Sequence, residues 1–229
     1  MITTRVRSQK SGVRNKKLGK SLVFLLLLTV HCSLFTVFTG CASPKGPVVL
    51  TPLPTPMPGY AVLEQKIVFS NNDVNIGILP LNSSEAKKIL SSKDASNPLA
   101  EALTQPKYLA FLLDIENSSK AKVMYNPALT TLFDNDLGVH KPLDYTDLYT
   151  LVGNSPHPEA VINVIKDIIY DLDITIGPGQ RTSRLLLFSG IEHGTSEVAI
   201  TMKEIYIGTS TIAVSFGFKI EEKKEAGKK

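Results

Sequence analysis

Apolar and polar residues alternate along much of the chain after residue 60, and this period of two predicts strands. From Leu109 the odd positions Leu109, Phe111, Leu113 and Ile115 are apolar, leaving Asp114 and Glu116 to face water. The run stops at Asn117-Ser118-Ser119, a turn cluster. Near the end, Ile212, Val214, Phe216, Phe218 and Ile220 form one face, opposite Ala213, Ser215, Gly217 and Lys219. Val198, Ile200 and Met202 make a third set. Its phase flips after Lys203, so that Ile205 and Ile207 become the apolar positions. One extra residue at Lys203-Glu204, a β-bulge, accounts for such a flip. Further strands are predicted over residues 66–69, 74–79, 122–125, 129–133, 174–176 and 181–188.

Helical spacing is rarer. Residues 85–91 predict a short helix, and 97–104 a further turn. Residues 159–172 predict a longer one, with Pro158 suited to its first turn. Val161, Ile162, Val164, Ile165, Ile168, Ile169 and Leu172 give it a wide apolar face, with Asn163, Lys166, Asp167 and Asp171 opposite. Many short strands and few helices, in a block (60–220) long enough for one sizeable core, predict a mainly β fold. The expected architecture is an antiparallel β-sandwich with one or two inserted helices.

The order of turn and strand marks also carries a resemblance. A strand ends in Ile115-Glu116-Asn117, Leu132-Phe133-Asp134 runs to Gly138, and Pro178-Gly179-Gln180 precedes a strand closing on Leu187-Phe188. In these marks, residues 62–220 resemble the secreted immunoglobulin-like domains of uncharacterised function found in many bacterial lipoproteins. The resemblance implies an immunoglobulin-like sandwich and no particular chemistry. Residues 144–172 exceed the usual pattern and are the part expected to be specific to this chain.

The first forty residues read differently. Arg5, Arg7, Lys10, Arg14, Lys16, Lys17 and Lys20 form a basic arm without an acidic residue, followed by an apolar run over 22–38 and then Thr39-Gly40-Cys41. A positive arm, an apolar segment and small residues at a cut make a signal peptide. The Gly40-Cys41 junction resembles the lipobox of bacterial lipoproteins, although Phe38 stands where Leu, Val or Ile is usual. The resemblance implies cleavage between Gly40 and Cys41 and a lipid, with palmitate-type acylation, on the Cys41 thiol. Residues 1–40 are then the signal peptide. The other reading is an uncleaved anchor, since residues 21–40 could cross a hydrocarbon core of about 30 Å.

Charge and cysteines follow from that division. The net charge of +4 falls to −3 once the seven cations of residues 1–40 are removed. The basic pI therefore belongs to the arm and gives no reason to expect nucleic-acid binding. Cys32 lies in the apolar run, so Cys41 is the single cysteine of the mature chain and no disulfide is expected. Residues 41–59 read as the lipidated cysteine and a tether rich in proline, from Pro44 to Pro58. In extended form it would hold the domain up to about 50 Å from the membrane. Residues 221–229 read as a charged, solvated tail. Ala42 is not the Asp that commonly retains such proteins in the inner membrane, which by resemblance favours the outer membrane of the bacterial cell envelope.

Candidate chemistry is sparse. Asp134-Asn135-Asp136-Leu137-Gly138 has alternate oxygen side chains, as a calcium loop does, but lacks the remaining ligands. A hairpin turn explains the same residues. Asp134 and Asp136 are thus weak metal candidates. With Asp144 and Asp147 they could form an acidic surface, or residues 142–149 could be a solvated loop with Tyr145 and Tyr149 packed beneath. His140, His157 and His193 form no metal pair and accompany no nucleophile elbow. No cofactor is expected. Two classes of function follow. One is a non-enzymatic interaction or assembly module with an envelope protein partner, touching it through Asp144, Tyr145, Asp147 and Tyr149. The other is a small-ligand or divalent-cation-binding lipoprotein.

Overall fold

The computed structural model describes residues 48–135, 138–191 and 194–222. The signal segment, the Gly40–Cys41 junction, Asp136, His193 and the tail from Lys223 lie outside them. Among the described residues the chain is mainly β, built from two antiparallel sheets.

The first sheet runs in the order β1 (Val48–Pro52), β12 (Ser210–Glu222), β11 (Glu197–Ile207), β6 (Val123–Tyr125), β9 (Ile174–Ile176). Strand β7 (Thr130–Asp134) also pairs β11 and carries β8 (Val139–His140). The second sheet is β10 (Arg181–Ser189), β5 (Tyr108–Asn117), β4 (Val74–Leu81), β3 (Lys66–Ser70), β2 (Tyr60–Leu63). The expected bulge is present. Met202 pairs Val214 and Ile205 pairs Ile212, so β11 holds one extra residue at Lys203-Glu204. It falls where β11 exchanges partners, from β7 up to Met202 to β6 from Ile205 onwards.

One core lies between the sheets. The alternating faces of β5, β11 and β12 meet there, with Phe111 packed edge-on against Phe188 at 6.0 Å and beside Phe218 at 5.3 Å. A second core lies on the outer face of the second sheet. There α1 (Ser83–Leu90), α2 (Pro98–Ala102), α3 (Tyr145–Val152) and α4 (Pro158–Ile165) bury Leu90, Leu99, Leu148 and Ile162 against Ala110, Leu185 and Leu187. This double burial is why Leu185-Leu186-Leu187-Phe188 reads as an unbroken apolar run. Two sequence marks meet at the end of β5. The buried Asn117 donates its N–H to Gln180 O at 2.9 Å, and Gly179 N donates to Asn117 O at 2.8 Å. Its Nδ2 donates to Ala121 O (2.7 Å) and Ile176 O (2.9 Å), and its Oδ1 accepts from Ser119 N (2.9 Å).

Several expectations are corrected. The proline-rich segment 41–59 is not wholly a tether. Val48–Pro52 is an edge strand paired with β12, with Leu50 buried. Proline is tolerated there because an edge strand need not pair every N–H. Residues 60–63, unassigned in the sequence reading, form β2. β12 continues through Glu221 and Glu222, so the tail starts later than residue 221. The helix expected over 159–172 stops at Ile165. Beyond it Leu185 N donates to Ile168 O (2.7 Å) and Tyr170 N to Leu185 O (2.8 Å), so this segment forms a parallel bridge on the edge of β10.

Candidate functional site

Residues 141–171 are pinned to the β10 edge at both ends. Pro142 bridges Phe188, and Leu143 N donates to Leu187 O at 2.8 Å. The chain then enters α3 through a reciprocal cap. Asp144 Oδ1 accepts from Thr146 N (2.8 Å) and Asp147 N (3.1 Å), while Asp147 Oδ2 accepts from Asp144 N at 3.0 Å. The two aspartates satisfy helix-end donors and set where α3 begins. Residues 142–149 are therefore not a loop with tyrosines beneath. Leu148 and Val152 are the buried positions of α3, whereas Tyr145 and Tyr149 are 41% and 43% exposed, one turn apart with ring centroids 6.2 Å apart. Leu151 is also exposed.

Beside α3 opens a cleft of about 410 Å³, with Pro127 and Ala128 among its lining residues together with Lys141, Asp144, Asp147 and Asp171. The cleft thus gathers three carboxylates and one ammonium. Tyr170 also borders it, but its hydroxyl donates to Leu113 O at 3.3 Å, and burial pushes its pKa well up. Tyr170 is a neutral wall rather than an acid or base. Ser189 lines the cleft without a histidine among the lining residues to activate it.

Asp134 stands apart from this cleft and is committed to its own turn. Its buried carboxylate accepts from Gly138 N at 2.6 Å and lies 3.0 Å from His140 Nε2, while Asp134 N donates to Gly138 O at 3.2 Å. A Cβ at 138 would sit 2.2 Å from Asp134 Oδ2, so a larger residue there would displace the carboxylate from its place in the turn. The neighbouring Asn135 Oδ1 accepts from Ser196 N at 2.8 Å. These contacts match the hairpin reading of the segment. Among the described residues no group of three His, Cys, Asp or Glu is disposed to hold a metal ion. Of the four aspartates expected to form an acidic surface, Asp144 and Asp147 come together, Asp134 does not join them, and Asp136 lies outside the described residues.

A further polar centre was missed in the sequence. Asp114, expected to face water, is only 8% exposed although it lies on the outer face of the second sheet. Lys66 and Arg181 both pair with its Oδ2, Arg181 at 3.1 Å. Its other oxygen, Oδ1, is also buried. Burial pushes the Asp114 pKa up, but the Lys66 ammonium, the Ser183 hydroxyl directly across the strand pair and Arg181 outweigh it. They hold the carboxyl below the usual carboxylate range. Lys66 reaches Asp114 across Gly77, which sits between β3 and β5. A Cβ at 77 would meet Lys66 Cε at 2.1 Å. A glycine interrupting the Val74-Ile76-Ile78 strand was the one local sign of this centre.

The fold and sites together define a mainly β, two-sheet domain with a helical cap over one end of one sheet. No family model and no curated protein matches the chain. Among solved structures, the yjhA protein from Bacillus subtilis aligns at 11% identity over 59% of this chain and 76% of its own, with a TM-score of 0.32. A functionally unknown protein from Listeria monocytogenes EGD-e aligns at 18% identity over 78% of this chain and 90% of its own, also at 0.32.

Proposed function

We propose that the chain is a bacterial envelope lipoprotein, cleaved before Cys41 and held by lipid on that thiol in the outer membrane. Its two-sheet domain, read as an immunoglobulin-like sandwich, acts as a non-enzymatic interaction or assembly module. The observation that carries this reading is the exposed Tyr145–Tyr149 pair on α3, accompanied by the exposed Leu151 on the same helix. Exposed aromatics are frequent anchors of a protein interface. The early start of β1 alters the geometry of anchoring. Only residues 42–47 separate Cys41 from Val48, which limits the reach to about 25 Å rather than about 50 Å.

A photo-crosslinking residue at Tyr149 tests the module. It should capture an envelope protein, and Tyr145→Ala should reduce the yield while leaving the melting temperature unchanged. Equal capture from a probe placed at Lys120, far along the chain from α3, would refute the assignment of α3. The anchor is tested by Cys41→Ser, which should leave an unprocessed precursor and abolish fatty-acid labelling. A second reading rests on the cleft itself. Asp144, Asp147 and Asp171 line one space of ligand size and outnumber its single cation, Lys141, which suits a small cationic ligand. Binding there should raise the melting temperature in millimolar spermidine, and Asp171→Asn should reduce the rise.

A further inference from the structure

Val48 opens β1 and pairs with Glu222 at the end of β12, so the chain enters and leaves the first sheet at one point, with the two backbones about 5 Å apart. Residues 41–47 precede that point and residues 223–229 follow it. We propose that residues 223–229 bind the anionic phospholipid headgroups of the membrane that holds Cys41, and that the domain stands on this end of its first sheet. The inference rests on the lipid-anchor reading and deepens it.

Reach and charge both support it. Cys41 is seven residues before Val48, and Lys229 is seven residues after Glu222, so either segment spans at most about 25 Å. Residues 223–229 are therefore long enough to reach the plane in which the lipid is buried. Lys223, Lys224, Lys228 and Lys229 outnumber Glu225, and Lys45 adds a fifth cation on the neighbouring segment. Counting Glu222 at the root, the two segments carry five cations and two anions, a net charge of +3. The mature chain carries −3 as a whole, so residues 48–221 carry −6. The cationic excess is confined to the two segments that meet at the anchor end. Each lysine near an anionic surface adds to the attraction.

This segregation orients the molecule. An anionic surface repels the body of the domain and attracts only the segments joined at the Val48–Glu222 pair. The acids nearest that root are answered, since Glu221 pairs with Lys219 at 3.0 Å and Glu197 lies opposite the same lysine. Lys228 and Lys229 have the reach to stand farther from those acids than the screening length of about 8 Å. Strand β12 is 13 residues long, so the exposed hairpin tip at Thr209 lies about 40 Å from the root, turned away from the membrane. The lipid fixes where the chain is attached, and the lysines fix which end of the domain faces the bilayer.

The full chain, purified in detergent from the membranes of the expressing bacterium and reconstituted into vesicles, tests it. The chain contains no tryptophan, so Ala226→Trp places a lone reporter beside the lysines and Thr209→Trp another at the far tip. Quenching by a headgroup nitroxide lipid is read in phosphatidylcholine vesicles and in equimolar phosphatidylcholine and phosphatidylglycerol. Ala226→Trp should be quenched about threefold more in the anionic vesicles. That gain should vanish in about 0.5 M salt, and when Lys223→Gln, Lys224→Gln, Lys228→Gln and Lys229→Gln are combined. Thr209→Trp should stay unquenched in both. Equal quenching of Ala226→Trp in the two vesicles, a gain that survives the four substitutions, or quenching at 209 equal to that at 226 overturns the proposal. Fatty-acid labelling of Cys41 in the same sample separates the two readings. With the label present, those results overturn the headgroup contact alone. Without it the anchor reading falls, and this inference with it.

Discussion

The two ends of the second sheet's outer face solve one problem in opposite ways. At one end Ala110, Leu185 and Leu187 project outward and four helices bury them in a second apolar core. At the other, the same strands project Asp114 and Arg181, with Lys66 from β3 completing an ion cluster that no helix covers. β5 runs through both ends, from the helix-covered Ala110 to Asn117, whose side chain is fully hydrogen-bonded. The contrast teaches that burial on this face follows two chemistries. The apolar end is stabilised in proportion to the area it hides from water. The polar end gains little net stability from its ion pairs, because charges withdrawn from water lose much of what pairing returns.

The largest effect should come from the apolar end. Leu148 is fully buried between α3 and the sheet, and Leu148→Ala should cost about 3 kcal/mol through lost burial and the cavity left behind. Urea unfolding followed by circular dichroism measures it. A loss below about 1 kcal/mol would mean that the helical cap is loosely attached, and would erase the distinction between the ends.

Asn117 comes next, at the same end of β5 as Asp114 but facing inward, toward β9 of the first sheet. Asn117→Ala strands the carbonyls of Ala121 and Ile176 and frees the Ser119 turn, and should cost about 2 kcal/mol. The same titration reads it, and hydrogen exchange should show the added opening concentrated around 117–121 and 176–180.

Much of this frame was legible in the sequence, and the reasons for the remainder are physical. Alternation marked β5, β11 and β12 because each buries one face, and the phase flip at Lys203 marked the bulge. β1 was hidden because six prolines between 44 and 58 outweigh the four residues Val48-Val49-Leu50-Thr51 that pair with β12. α3 was hidden because an eight-residue helix with two buried positions, Leu148 and Val152, shows almost no period. Its readable sign was the Asp144–Asp147 cap. The stop of α4 at Ile165 was hidden because Ile168 and Ile169 are as apolar as the helix before them, and only β10 decides their conformation. The Asp114 centre joins residues 48 and 67 positions apart on three strands, a juxtaposition that local pattern does not carry.

Asp114→Asn keeps the shape of the centre and removes its charge, and should cost about 1–2 kcal/mol at neutral pH. The upper range for a broken buried pair is not reached, because Arg181 and part of Lys66 can turn to solvent. The pH dependence has a definite sign. Lys66, Ser183 and Arg181 depress the folded-state pKa of Asp114 despite its burial. Its contribution is therefore complete above the unfolded carboxylate pKa of about 3.9, and is lost as pH falls through the lower folded value. The stability gap between parent and Asp114→Asn should stay constant from neutral pH to about pH 4 and narrow below it. A gap that narrows already near pH 6 would show that Asp114 is not held ionised, and the polar end would lose its defining feature.

The smallest effect on stability, and the sharpest on geometry, belongs to Gly77→Ala. The added Cβ would lie 2.1 Å from Lys66 Cε and 2.8 Å from its Nζ, both at the far end of a flexible side chain. Lys66 must leave Asp114, while the backbone of β4 has no reason to move. Alanine also restricts the unfolded chain more than glycine does, which offsets part of the lost ion pair, so the net cost should stay below about 1 kcal/mol. The displaced ammonium should instead appear in its chemistry. Brief treatment with an amine-acylating reagent, read by peptide mass spectrometry, should modify Lys66 faster in the variant than in the parent, with Lys120 as an internal reference. Faster labelling at unchanged stability places the mobility of the polar end in one side chain over a rigid sheet. Unchanged labelling with a loss of several kcal/mol would place it in the backbone.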